Sequence, residues 1–173
     1  MSNAAAPQGR IGNTAFVDFT GLSKPEDLAG ITEIYNTAAV LVPEALAPAV
    51  AQIPLKNVGQ VVYIPDGKKV VVRAGMTQLS GDVLENRNGD PNDIMVLIGQ
   101  TEITSVPVRV GYELIVIGML VAPEAARDRI TPAMRNVAGQ TLFYRGSGLR
   151  MFLSEVSLDR EYFDFLPEQN ALA

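Results

Sequence analysis

The chain contains no cysteine and no histidine among its 173 residues. The lack of cysteine excludes a disulfide framework, a thiolate metal site and a cysteine nucleophile. The lack of histidine removes the commonest general base and the usual zinc ligand, and it excludes a Ser-His-Asp triad. An enzyme built on this sequence would therefore have to work with carboxylate, serine or lysine side chains.

Charged residues are also scarce, at 19% of the chain, and the net charge is −5 with a pI of about 4.7. This acidic balance argues against nucleic acid or an anionic membrane as partner. Apolar residues make up 47% of the chain, so it is expected to fold. Its length fits one continuous domain or one run of repeats.

Targeting signals and membrane spans are not predicted. Residues 1–10 have no positive segment followed by an apolar one, as a secretory signal would, and we interpret them as a disordered tail or the remnant of a tag. The uncharged run Leu114–Ala122 has nine residues, too few to span a bilayer. We therefore expect a soluble, cytoplasmic protein.

Internal repetition is the most informative feature of the sequence. The segment Glu33–Tyr63 aligns without gaps with Glu113–Phe143, which lies 80 residues later, and six of 31 positions are identical. The identical pairs are Glu33 and Glu113, Pro43 and Pro123, Glu44 and Glu124, Ala45 and Ala125, Gly59 and Gly139, and Gln60 and Gln140. This alignment indicates an internal duplication.

A shorter period lies inside the duplication, because an apolar run ending in a turn signal returns about every 22 residues. The runs are Phe16–Phe19, Val40–Val42, Val61–Ile64, Leu120–Ala122, Leu142–Tyr144 and Phe163–Leu166. Their residues favour strands, a proline after a run ends the strand, and the Glu-Ala sequences that follow favour a helical turn. We predict a mainly β fold, a solenoid-like repeat stack of about 22-residue strand-turn units with short helical turns. A β-sandwich or barrel is the alternative.

The units group into a first repeat block, residues 11–79, and a second one, residues 94–173. The most polar stretch, residues 80–93, is predicted to be an exposed loop between them. Asp66-Gly67 indicates a tight turn, which makes Gly67–Leu79 a hairpin arm. Gly59 and Gly139 are expected at equivalent corners where the backbone turns tightly.

Over about residues 16–66 and 111–168 the chain resembles β-solenoid and leucine-rich-repeat-like proteins, and it is similar to the short apolar repeats of bactofilin-type polymerising solenoids. The resemblance rests on the period of the apolar runs. The chain lacks the L-x-x-L-x-L-x-x-N ladder of leucine-rich repeats, and Asn36, Asn57 and Asn136 do not follow one strict period. It also lacks the glycine-rich nonapeptides of calcium-binding β-rolls. The resemblance implies a repeat protein able to polymerise.

The polar loop offers Asp82, Asp90 and Asp93 as weak candidate ligands for a hard cation such as calcium. An EF-hand does not fit, because placing Gly89 at its glycine puts Leu84 and Met95 at ligand positions. A solvated turn that uses Asn and Gly is the favoured interpretation. We expect no metal and no cofactor.

Acidic residues recur at equivalent points of the repeat. Glu44, Glu124 and Glu168 follow prolines, where a glutamate stabilises the start of a helical turn, and a carboxylate ladder for cations is the less favoured alternative. Glu33 and Glu113 are the candidate pair for carboxylate catalysis, a reaction that depends on their separation. The segment 145–150 contains only G-x-G, so nucleotide binding is not predicted.

The ends of such a stack leave strand edges open, and open edges associate unless they are capped. The sequence of residues 158–166 predicts either a terminal strand, Glu161–Leu166, or a short capping helix. We predict a structural, self-associating protein, a scaffold or filament whose partner is itself. The expected joint residues are Phe16, Phe19, Tyr162, Phe163 and Phe165. The alternatives are a non-catalytic module that binds a protein or ligand through the 80–93 loop, and a histidine-free enzyme with carboxylate catalysis.

Overall fold

A computed structural model describes residues 9–145, which form seven β-strands joined by short helical turns. The strands are β1 (Gly9–Asp18), β2 (Ile31–Pro43), β3 (Leu55–Ile64), β4 (Val70–Leu79), β5 (Ile94–Ile103), β6 (Glu113–Pro123) and β7 (Met134–Tyr144). The α-helical turns are α1 (Ala47–Val50) and α2 (Arg127–Ile130), and the 3-10 turns are Pro25–Leu28, Glu44–Leu46, Gly81–Glu85, Glu124–Ala126 and Thr131–Ala133. The mainly β prediction is confirmed.

Within each of two sheets, strands that follow one another in sequence pair in parallel. The first sheet has the order β1-β2-β3 and the second sheet has the order β4-β5-β6-β7. Parallel pairing requires a crossover between strands. Short helical turns lie in each of these crossovers except the one from β5 to β6, which consists of residues 104–112. Within the described residues neither sheet closes into a barrel, so each sheet has two terminal strands.

The duplication is visible in the structure. The segment β2–α1–β3 of the first sheet corresponds to β6–α2–β7 of the second, and the strands of each pair have the same register. Val40 pairs with Val61 in the first sheet, and the equivalent Leu120 pairs with Thr141 in the second. The two sheets therefore share a repeated unit, and β4 is the additional strand of the second sheet.

The prediction of a hairpin at Asp66-Gly67 is wrong. Residues 65–69 carry the chain from β3 in the first sheet to β4 in the second, and these two strands do not pair. The reason is that β4 has apolar side chains on both faces: Val70 and Val72 pack in one hydrophobic cluster and Val71 in another. Both faces are covered in a packed parallel sheet, whereas an isolated hairpin leaves one face exposed.

Three apolar clusters form the core. The central cluster lies between the sheets and combines residues of β2 and β3, such as Leu41 and Val62, with residues of β5 and β6, such as Val96 and Ile115. Each outer cluster is formed by the other face of one sheet and by its helical turns. The sheets thus occupy the middle of a layered arrangement.

The polar segment 80–93 differs from the predicted exposed loop. Its first part is the 3-10 turn Gly81–Glu85, in which Leu84 is fully buried and joins the outer cluster of the second sheet. Only Asp82 and residues 87–92 are exposed. Burial of the Leu84 side chain holds this segment against the sheet, because exposing that side chain to water would be unfavourable. At the other end of the chain, β1 begins at Gly9, inside the predicted tail.

Candidate functional site

The candidate catalytic pair is engaged in ion pairs on two different sheets. Glu33, near the start of β2, is paired with both Arg10 on β1 and Lys56 on β3. Hydrogen bonds from Lys56 and then from Arg10 hold the pKa of Glu33 below its ordinary value. The equivalent Glu113 accepts a hydrogen bond from Arg135 at 2.8 Å. Each duplicated glutamate therefore joins its strand to a cation on the next strand.

The Pro-Glu corners start helical turns, as predicted. Pro43 and Pro123 are the last residues of their strands, and Glu44 and Glu124 are the first residues of the 3-10 turns. The prolines thus end strands and do not occupy the first helical position. Glu124 is held by Arg127, which donates from Nε at 2.9 Å and from Nη2 at 2.8 Å and lowers the pKa of the carboxyl. Glu168 lies outside the described residues.

The candidate cation ligands of the polar segment accept hydrogen bonds from nearby protein groups. Asp90 accepts from the backbone and side chain of Asn92, which lowers its pKa, and Asp93 accepts from the backbone of Asp90 at 3.2 Å. Hydrogen bonding from Ser80 likewise lowers the pKa of Asp82. Among residues 9–145, no group of three or more acidic side chains is arranged to hold a metal ion.

An asparagine ladder crosses the first sheet on its exposed side. Asn36 on β2 donates to Asn13 on β1 at 3.0 Å, and Asn57 on β3 donates to Asn36 at 2.9 Å. All three residues have positive φ, between 47° and 55°, a conformation that asparagine tolerates better than most residues. The sequence did not reveal this ladder, because its asparagines are not evenly spaced along the chain. Asn136, which the sequence analysis grouped with Asn36 and Asn57, pairs instead with Ile115 in the second sheet.

A glycine ladder crosses the second sheet. Gly75, Gly99, Gly118 and Gly139 are partners in register on β4 to β7, and all have positive φ. Gly139 thus lies within a strand, not at a corner as predicted. The same holds for Gly59 in the first sheet, where an added Cβ would lie 2.6 Å from the carbonyl oxygen of Ala38. These glycines allow close approach of neighbouring backbones.

The predicted joint residues in β1 and directly after it, Phe16 and Phe19, face the interior. Phe19 is 2% exposed and belongs to the outer cluster of the first sheet. Phe16 is half-buried and packs against the central cluster. Because Phe19 is buried in the fold, its side chain is not available for contact with a second chain. Tyr162, Phe163 and Phe165 lie outside the described residues.

Among the described strands, exposed large apolar side chains lie mainly on the terminal strands β3 and β7, with one more, Met76, on β4. We call this surface the end face and define it by Leu55 and Tyr63 on β3 and by Val137 and Leu142 on β7. β1 contacts β4, and these strands begin the two sheets, so β3 and β7 mark the opposite end of the molecule. The sequence signal for this surface is the apolar runs Val61–Ile64 and Leu142–Tyr144, which do not reveal which side chains remain uncovered.

Leu142 illustrates what is unusual about the end face. Its repeat counterpart Val62 is 3% exposed in the central cluster, whereas Leu142 is 49% exposed. The neighbouring Phe143 packs on the outer cluster, so alternation along β7 points Leu142 towards the inner side of its sheet. An inward-pointing leucine is exposed here because the first sheet, with three strands against four, leaves it uncovered.

A cleft of about 410 Å³ crosses all seven strands between the sheets. Its lining consists of glycine, alanine and isoleucine residues and one polar side chain, Gln60. The buried Oε1 atom of Gln60 accepts no hydrogen bond within the described part of the chain. No acidic or basic side chain lines this cleft, so it offers no acid–base pair for catalysis.

None of the helices in residues 9–145 has the length and apolar character needed to cross a membrane. No protein-family model, curated protein or solved structure matches the chain.

Proposed function

We propose that this protein is a structural protein that associates with itself through its end strands, as a scaffold built from solenoid-like repeat units. The single observation that carries the proposal is the end face. Within residues 9–145, the backbone edges of β3 and β7 have no strand partner on one side, and the same two strands carry exposed apolar side chains. Unpaired strand edges and exposed apolar side chains are features by which sheets recruit further strands.

The repeat supports the proposal. β3 and β7 are equivalent strands of the duplicated unit, and each ends its sheet without a charged or helical cover among the described residues. Lys56 and Arg135, the cations at the start of these strands, each pair with a carboxylate, Glu33 and Glu113 respectively. Charge that would normally protect an edge strand is thereby partly offset within the chain.

Light scattering over a concentration series tests the proposal. We expect the particle mass of the full chain to rise above the 18.6 kDa of one chain as the concentration increases. Leu142→Glu should raise the concentration at half-association by at least about tenfold, because a carboxylate would be buried without a partner.

Val108→Glu is the matched control. Val108 is 77% exposed and lies in the connection before β6, away from the end face. The same charge introduced there should leave the particle mass unchanged. A mass of one chain at every concentration would contradict the proposal, as would an equal effect of the two substitutions.

A further inference from the structure

The end face is stepped, because the two sheets have different numbers of strands. With β1 against β4 at one end, the three-stranded sheet stops before the four-stranded one at the other. β7 then extends past β3, which is consistent with the 49% exposure of the inward-pointing Leu142. The end face therefore consists of the projecting strand β7 and, next to it, a recess at the edge of β3.

The strands of the two sheets run in roughly opposite directions. β3 ends at Ile64 and β4 begins at Val70, so the link between them spans at most about 20 Å. A ten-residue strand is about 33 Å long, and a link between two strands of the same direction would have to cover that length. The link instead closes over a cavity of about 360 Å³ at the carboxyl ends of the first sheet, lined by Thr20 and Pro43.

Charge distinguishes two ways of adding a second copy. If copies stacked head to tail, β1 of the second copy would follow β3 and bring Arg10 beside Lys56. In the other sheet β4 would follow β7 and bring Lys69 near Arg135. Like charges meet in both sheets of such a stack, which is unfavourable. The unequal numbers of strands also disfavour a head-to-tail stack. A single shift of the second copy cannot continue both sheets, because one sheet has three strands and the other has four.

We infer that the end face binds the end face of a second copy across a twofold axis, so that β3 of each chain pairs antiparallel with β7 of the other. The projecting strand of one copy fills the recess of the other, and two continuous seven-stranded sheets result. Lys56 and Arg135 lie near the amino ends of their strands, so antiparallel pairing places them at opposite ends of each new pair. A twofold interface of this kind is self-complementary.

The middle of the new strand pair has a polar group that a partner would satisfy. Gln60 Oε1 is buried, and no donor for it is found in residues 9–145. Antiparallel pairing centred on β3 and β7 sets Gln60 close to Gln140 of the second copy, whose amide can donate. The two Leu142 side chains meet near the axis on the inner side. The inference rests on the proposed self-association and specifies its geometry.

Cross-linking tests the geometry, and the cysteine-free chain provides a clean background. Tyr63→Cys and Val137→Cys are prepared as separate single variants of the full chain, mixed, and treated with a short bismaleimide. Both positions lie on the outer sides of their sheets, because Tyr63 pairs with Val42 and Val137 pairs with Val116. Antiparallel pairing places these two positions opposite each other, so we expect a covalent dimer from the mixture and at least about tenfold less from either variant alone. Each variant's particle mass is compared with that of the unmodified chain by light scattering.

Tyr63→Cys mixed with Asp18→Cys is the control. Asp18 pairs with Leu41, and Leu41 with Val62, so a head-to-tail stack would place position 18 opposite Val62 and next to position 63. Cross-linking of that pair would overturn the twofold arrangement while leaving self-association intact. Chains that stay monomeric and give no product in either mixture would overturn both the twofold arrangement and the proposed self-association.

Discussion

Glu33 joins three strands through one carboxylate. It is 7% exposed and has a cation on each side, Arg10 on β1 and Lys56 on β3. Leaving such a carboxylate without its partners would be costly, because a buried charge loses its hydration. Glu113 and Arg135 repeat this arrangement in the second sheet with greater exposure. The glutamate identity found in the sequence duplication therefore reflects a structural role in both sheets.

The Glu33 ion pairs predict a pH dependence of stability. Because the pKa of Glu33 is lowered in the folded state, its contribution is present above the unfolded value of about 4.3 and is lost as the pH falls through the folded pKa. The difference in unfolding free energy between the wild type and Glu33→Gln should therefore shrink as the pH falls below about 4.3. Urea unfolding of both proteins at a series of pH values measures this difference in unfolding free energy.

The control for this experiment replaces the two cations. In a chain carrying Arg10→Gln and Lys56→Gln, the folded pKa of Glu33 should return towards its ordinary value. The further substitution Glu33→Gln should then produce a difference that varies much less with pH. A pH dependence as steep as in the wild-type background would show that the ion pairs are not its source.

At the scale of elements, the glycine ladder determines how closely β4 to β7 approach. Gly118 has a φ of +122°, and an added Cβ would meet the carbonyl oxygen of Gly99. Gly75, at the open edge of the same ladder, has a φ of +95° but nothing within 4 Å of an added Cβ. An alanine at position 75 would therefore experience only backbone strain, whereas an alanine at position 118 would also clash with the neighbouring strand.

Alanine substitution at these two glycines should have unequal effects. Gly75→Ala should cost about 1–2 kcal/mol from the left-handed backbone alone. Gly118→Ala should cost a further 1–3 kcal/mol, roughly, because the new methyl group forces the neighbouring strand to move. Denaturant unfolding of both variants gives the comparison. Equal losses of stability would mean that contact between the backbones is unimportant.

At the scale of the whole molecule, the proposed self-association would couple stability to concentration. A partner that binds only the folded chain stabilises it by mass action. Above the dissociation constant of a dimer, each tenfold rise in concentration should add about 1.4 kcal/mol per dimer to the unfolding free energy. We expect the thermal midpoint of the wild type to rise with concentration and that of Leu142→Glu to stay constant. A constant midpoint for the wild type would contradict association in this range.

The sequence by itself determined the strands and where they end. Valine- and isoleucine-rich runs form strands, and Pro43 and Pro123 end them, because these preferences depend on each residue's own backbone and side chain. The 80-residue duplication correctly related β2 and β3 to β6 and β7. The same local preferences explain the error at Asp66-Gly67. These two residues correctly indicate a turn, but a turn does not determine whether the strands on either side of it pair with each other.

Only the tertiary structure decided which strands share a sheet and which side chains stay uncovered. Val62 and Leu142 occupy the same position of the repeat, yet one is buried and the other is half exposed. Their difference arises from the number of strands in the opposing sheet, which no local pattern encodes. Likewise, Asn13, Asn36 and Asn57 form a ladder only because strand register brings them together. Register and layer count depend on contacts between residues far apart in sequence, and packing therefore determines them.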